Sequence, residues 1–175
     1  MTKRSWAAAA AALLLAACGG EQVRTPVALG HLVAPVSAPW LTVEQSTFDL
    51  AVRGTDEPVL LDPQPSVPAV LQSTLRHEVQ PLYFTDLIVG CNNVGAEVRV
   101  RTEDDAPSRV GLDLSLRCRI DARGLISSHD YRVRPDMPVP ADGDYAKAFA
   151  SLLDGGSHDI ARQLAADVAA SARRP

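Results

Sequence analysis

Two stretches of this chain carry the residue types of a hydrolase triad, Ser127-Ser128-His129-Asp130 and Ser157-His158-Asp159. Such a triad needs a nucleophile, a base and an orienting acid that converge on one point. Ser127 to Asp130 lie in a stretch of strand periodicity, where neighbouring side chains alternate faces, so four consecutive residues do not converge. Ser157 to Asp159 sit where a helix is expected to restart, with serine as a cap and aspartate complementing the dipole. No Gly-x-Ser-x-Gly elbow occurs. His31, His77, His129 and His158 match no zinc spacing, and His31 reads as a solvated residue. Glu103-Asp104-Asp105 reads as solvated loop charge rather than a glycosidase acid pair. The expectation is therefore of no catalytic residues, no metal, no cofactor beyond a covalent lipid, and no enzyme.

One set of side chains is unusual. Arg99, Arg101, Arg117, Arg119, Arg132 and Arg134 each fall opposite the apolar face of an alternating stretch. They predict an arginine-rich outer sheet face, able to meet acidic partners such as lipid phosphates or an acidic protein. The competing reading is a solvated face with cross-strand pairs to Glu97, Asp113, Asp121 and Asp130. The formal charge of −4 becomes about −6 once Lys3 and Arg4 leave with the leader, which argues against nucleic acid as a partner.

The third chemistry is thiol chemistry. Lys3 and Arg4 precede an Ala/Leu run from Trp6 to Leu15, the order of a secretory signal too short to span a bilayer. Leu15-Ala16-Ala17-Cys18 then resembles a lipobox, the processing site of bacterial lipoproteins. That resemblance implies a signal peptide over 1–17, cleaved before Cys18, with acyl chains (palmitate among them) on Cys18. Several chains make a durable anchor where one is marginal. Gly19 and Gly20 lack the acidic residue that retains such proteins in the inner membrane, so the family rule implies the periplasmic face of the outer membrane. Cys91 and Cys118 remain as an even pair in an oxidising compartment, and a disulfide between them is expected.

The elements that position these residues follow from period and punctuation. Residues 18–39 carry Gly, Pro, Ala and Val without period and predict a lipidated N-terminus and flexible tether, leaving 40–175 as a single α+β periplasmic domain. Trp40 to Arg53 reads as the first ordered β element, and Val59-Leu60-Leu61 as a short strand. Ser66 and Pro68 open a helix whose face is Val67, Val70, Leu71, Leu75 and Val79. Leu82 to Cys91 is a β run, Asn92-Asn93-Val94-Gly95 a turn, and Ala96 to Arg101 the next strand. Val110 to Asp121 alternates most strongly, and Leu125 to Val133 follows after a turn at Ala122-Arg123-Gly124. In this reading a Cys91–Cys118 bridge joins the first strand of the meander to its third. Asp142 or Asp144 caps a C-terminal helix that Gly155-Gly156 kinks or interrupts. The expected fold is a two-layer α+β sandwich, a largely antiparallel sheet of about four to five strands with two or three helices on one face.

The lipobox, the Pro-introduced helix, Leu82-Tyr83-Phe84-Thr85-Asp86-Leu87, the polar-faced meander and the closing Tyr145-Ala146-Lys147-Ala148-Phe149 together resemble the small envelope lipoproteins of the YajG and ABC-type transport auxiliary (PqiC-like) kind, over most of 40–172. The resemblance implies a sandwich with helices on one side and a non-enzymatic accessory role in envelope maintenance or lipid transport, with an envelope protein as partner. The alternative expectation is a carrier of phospholipid or a small apolar ligand in a groove between helices and sheet.

Overall fold

A computed structural model describes residues 24–102 and 107–173. The leader 1–17, Cys18 and the acidic Glu103-Asp104-Asp105 lie outside the described residues.

Among the described residues two α-helices form, where capping and period agree. The first, α1 (Val67–Val79), starts at Ser66, whose hydroxyl accepts the Ala69 N–H at 3.4 Å, with Pro68 in the first turn. A serine cap of this kind contributes about 1 kcal/mol. Val67, Val70, Leu71, Leu75 and Val79 are all buried, as their spacing demands. The second, α2 (Tyr145–Ala172), is capped by Asp144, which accepts the Lys147 N–H at 2.9 Å. Gly155-Gly156 does not break it. A β-carbon at Gly156 would lie 3.3–3.4 Å from the side chains of Leu114, Val133 and Pro135, so the missing side chain is what lets the helix approach the sheet. Ser157 is no cap: it is fully buried inside α2, its hydroxyl 2.9 Å from the Asp154 carbonyl and 3.4 Å from Thr74 Oγ1 on α1. Close packing of helix on helix and sheet outweighs the propensity penalty of about 1 kcal/mol per glycine.

Among the described residues the helices cover one face of a single mixed sheet of eight strands, more than the four or five expected. Its strands are β1 (Arg24–Ala28), β2 (Leu41–Val43), β3 (Leu50–Arg53), β4 (Val59–Gln64), β5 (Leu87–Arg101), β6 (Arg109–Ala122), β7 (Leu125–Val133) and β8 (Asp136–Pro138). The main order is β1-β4-β3-β5-β6-β7, with β2 parallel to the start of β5 and β8 antiparallel to the start of β6. β1 with β4 and β3 with β5 are also parallel, while the long β5-β6-β7 meander is antiparallel. The expected count is too low because the added strands are mostly three to six residues long, too short for alternation to announce.

Asn92-Asn93-Val94-Gly95 is not a turn. β5 runs straight through it, and the register with β6 shifts there: Asn92 pairs with Arg117 and Gly95 with Ser115. This is a bulge, with Asn93 in the left-handed region (φ 52°). It shifts the inward phase from Leu87, Val89 and Cys91 to Val98, which in sequence mimics a reversal of the chain. Cys91 and Cys118 are consequently neighbours across adjacent strands, not first and third. They form a disulfide with Cα atoms 4.0 Å apart, on the inner, buried face.

From Arg24 on, the segment expected to be a tether is ordered. β1 lies inside the 18–39 segment, paired from Arg24↔Leu60 to Ala28↔Gln64, with Val27, Leu29 and Ala38 buried. Polar groups of α1 hold the stretch between β1 and β2, and β2 itself. Ser73 Oγ bonds both the N–H (2.9 Å) and the carbonyl (3.1 Å) of Ala34. Gln72 accepts the Val43 N–H, and Arg76 donates to the Leu41 carbonyl. Backbone that lacks a periodic pattern is satisfied here by side chains of a helix far along the chain, which local sequence cannot show. The expected single element over Trp40–Arg53 divides into β2 and β3 for the same reason.

Candidate binding face

The sheet face away from the helices carries the functional candidates. On β6, Val110, Leu112, Leu114, Leu116, Cys118 and Ile120 point inward and are buried, which turns Arg109, Asp113, Arg117, Arg119 and Asp121 outward. Register brings the corresponding residues of β5 and β7 alongside: Glu97 opposes Asp113, Arg99 opposes Gly111, Asp130 opposes Arg117 and Ser128 opposes Arg119. All six arginines expected on this face are exposed.

Most of them are paired. Arg117 forms a fork to Asp130 at 2.7 and 2.8 Å. Arg132 Nε and Arg134 Nε reach Asp113 at 2.7 and 3.1 Å, and Arg99 bonds both Glu97 oxygens at 2.9 Å, with Arg53 beside it at 3.0 Å. Among the described residues Arg101, Arg119 and Asp121 make no ion pair. The hydrogen bond from Arg132 holds the Asp113 carboxyl below its ordinary range, Arg99 does the same for Glu97, and Arg117 for Asp130. These carboxylates are therefore ionised at neutral pH. Exposed pairs of this kind add little to stability. They hold the guanidinium planes in place while leaving other N–H groups of each arginine free.

One half of the face is concave. Glu97, Arg99, Arg101, Gly111, Asp113, Arg132, Arg134 and Asp136 line a notch of about 280 Å³, with Gly111 supplying a floor without a side chain. The opposite half is apolar. Ile88 and Ile126 flank Asp121 on the outer face, each more than half exposed, and Leu125 and Tyr83 are similarly exposed nearby at that end. Tyr83 packs its ring 5.3 Å from Trp40, and Arg123 stacks over Phe84. The sequence signal for this apolar end is the outward parity of Ile88 and Ile126, which the arginine pattern of the same face overshadows.

Ser127-Ser128-His129-Asp130 does not converge as four residues, yet part of it does find an acid. Ser127 and His129 share the face of β7 turned toward α2, with Ser127 Oγ 3.1 Å from His129 Nε2 and His129 Nδ1 3.3 Å from Asp167 Oδ2 on α2. The Tyr131 hydroxyl donates to the same Asp167 oxygen at 2.7 Å. The order of atoms is that of a triad, but the surroundings are wrong for one. Ser127 lies within a regular strand, and the nearby helix end is the C-terminus of α2, whose partial charge is negative and would repel an oxyanion. The cluster acts as a clasp between β7 and α2. Burial and the Asp167 carboxylate both push the Tyr131 phenol well above its ordinary value near 10. The unfolded phenol ionises near pH 10 while the folded one keeps its proton, so this contribution is complete below pH 10 and is lost as pH rises further. Stability is expected to fall by up to about 1.4 kcal/mol per pH unit above pH 10, and Tyr131→Phe to flatten that slope in urea unfolding between pH 8 and 11.

The remaining histidines stay apart. His31 and His77 are exposed, and His158 sits 3.4 Å from Glu78 and 3.7 Å from Asp154. Asp159 turns to Arg162, so Ser157-His158-Asp159 does not converge either. Among the described residues no group of three or more His, Cys, Asp or Glu is placed to hold a metal ion, and no helix is long and apolar enough to cross a membrane.

No protein-family model matches this sequence, and no curated protein matches it. Among solved structures the chain is similar to a minor lipoprotein from Acinetobacter baumannii, at 11% identity and a TM-score of 0.47, covering 78% of this chain and 94% of that one. It is also similar to a Xanthomonas campestris protein described under the family model DUF330, at 12% identity and a TM-score of 0.47, covering 84% and 95%. An uncharacterized protein matches at 10% identity and a TM-score of 0.43 over 83% and 88%.

Proposed function

We propose that this chain is a lipid-anchored periplasmic lipoprotein of the outer membrane that works by docking, as an accessory subunit to an envelope protein, and carries out no chemistry of its own. The observation that carries the reading is the apolar end of the uncovered sheet face. Ile88 and Ile126 on that face, with Tyr83 nearby, are between 53% and 62% exposed, an apolar surface better covered by a partner than left in water. Anchoring rests on the Leu15-Ala16-Ala17-Cys18 motif. With β1 beginning at Arg24, the six residues from Cys18 can span at most about 20 Å, so the domain works close to its bilayer. The apolar end is the distal one. Arg24 is level with Glu97 through Leu60 and Ala51, and the eight residues from Asp113 to Asp121 carry the face about 26 Å further.

Docking is preferred to carriage because the centre of the layer between helices and sheet is filled, and the hollow between β1 and α2 at its edge is open and partly lined by Lys147, Ser151 and Asp154. Phe149, Leu71, Leu75, Leu153, Ile160 and Leu164 meet at that centre without solvent exposure. The test is brief crosslinking of the full-length protein in membranes, followed by mass spectrometry of captured proteins and lipids. Wild type is expected to capture defined envelope proteins, and Ile88→Ser/Ile126→Ser to lose them while remaining folded and anchored. Bound phospholipid without any protein would instead favour the carrier. A Cys18→Ser chain that still carries acyl groups would remove the anchoring half of the reading.

A further inference from the structure

The arginine notch sits at the other end of the face from the apolar patch, and its surroundings are charged out of balance. Arg53, Arg99, Arg101, Arg109, Arg132 and Arg134 line or abut it, against Glu97, Asp113 and Asp136 among the described residues. Among the described residues this is a local cationic excess, on a chain of net charge −4. The three carboxylates are each engaged, Asp113 by two arginines, Glu97 by two and Asp136 by Arg109, so among the described residues none is left over to neutralise Arg101. Arg132 commits Nε and one terminal nitrogen to Asp113, while Arg134 commits Nε alone. Among the described residues, their remaining N–H groups, those of Arg99, and all of Arg101 stay available as donors. Gly111 between Arg99 and Asp136 in the ladder keeps the floor open. Several guanidinium groups around a small polar hollow suit a tetrahedral oxyanion better than a flat apolar ligand. About 280 Å³ admits such a group with part of its ester, not a lipid with its tails.

Position selects the source of the oxyanion. Arg24, the first described residue, is outward-facing on β1 and level with Glu97. β1 is separated from β5 by β4 and β3, so the notch is about 15–20 Å across the sheet from Arg24. Cys18 lies within about 20 Å of Arg24. A chain anchored at Cys18 therefore keeps the notch within reach of lipid headgroups, whose phosphates are the commonest anions there.

We propose that the arginine notch binds the phosphate of an anionic phospholipid in the membrane that anchors the chain, turning the arginine end of the face to the bilayer and the apolar end away from it. The proposal rests on the anchored reading above but not on the docking partner. It is tested with the full-length lipidated protein in non-ionic detergent, titrated calorimetrically with dihexanoyl-phosphatidylglycerol, dihexanoyl-phosphatidylcholine and inorganic phosphate. Phosphatidylglycerol is expected to bind at least tenfold more tightly than phosphatidylcholine, with affinity falling as salt rises. Arg101→Gln/Arg134→Gln should cost at least a further tenfold, whereas Arg119→Gln, on the same face outside the notch, should cost less than twofold. Unchanged thermal unfolding of the double variant shows that the loss is not one of folding. Equal binding of the two lipids, or binding indifferent to the double variant, overturns the proposal. Inorganic phosphate binding as tightly as phosphatidylglycerol overturns the membrane as the source and leaves a site for free phosphate. Protein capture by the double variant in the crosslinking experiment separates the two ideas: capture with lost lipid binding leaves docking standing, and lipid binding with no captured protein leaves the notch standing.

Discussion

Replacing Phe149 by alanine is expected to lower the unfolding free energy by about 3–5 kcal/mol. Phe149 is the largest of the fully buried side chains, on the face of α2 turned to the sheet. Its removal loses the transfer free energy of the ring and leaves a cavity, because the surrounding leucines are held by two helices and a sheet and collapse only in part. A domain of this size has about 5–15 kcal/mol in total, so the variant stands near the limit of folding. Phe149→Leu, which retains much of the volume, should cost clearly less. Urea unfolding of the three proteins decides it. A loss below about 1 kcal/mol in the alanine variant would mean that the ring is not packed as described.

The second large effect concerns the Cys91–Cys118 bridge. The 27-residue separation corresponds to about 3–4 kcal/mol of unfolded-state entropy in the chain-entropy account. Cys91→Ala/Cys118→Ala should lose most of that. Kinetics offers an independent check. The two cysteines are 4% and 0% exposed on the inner face, so a reductant reaches the sulfurs only when β5 and β6 separate or α2 lifts. Alkylation after dithiothreitol treatment should label neither thiol in native buffer and both in urea. Rapid labelling in native buffer would place the bridge at the surface, against the structure.

How much of this was legible depends on whether the cause is local. The start of α1 at Ser66 and the cap at Asp144 could be read because a cap and its first turn are neighbours in sequence. The inward and outward sets of β6 could be read because strand period is two wherever one face is buried. The arginine face followed from the same period, and its pairing with Glu97, Asp113 and Asp130 followed from outward acids lying on neighbouring strands. The bulge could not be read, since Asn92-Asn93-Val94-Gly95 has the composition of a turn and only pairing with an intact β6 keeps the strand going. Nor could the clasp, because Asp167 lies far from Ser127 and His129 in the chain and meets them only where α2 crosses β7.

By itself, then, the sequence determined the elements with strong local period, the alternation that exposes the arginines, and the pairing of Cys91 with Cys118. Tertiary structure alone decided that β1 joins the sheet, that Gly155-Gly156-Ser157 is a packing surface and not a break, and that four arginines surround one notch. The physical reason is common to all three. Each depends on which distant backbone or side chain fills the space alongside, and a residue's neighbours in space are set by the packed core, not by its neighbours along the chain.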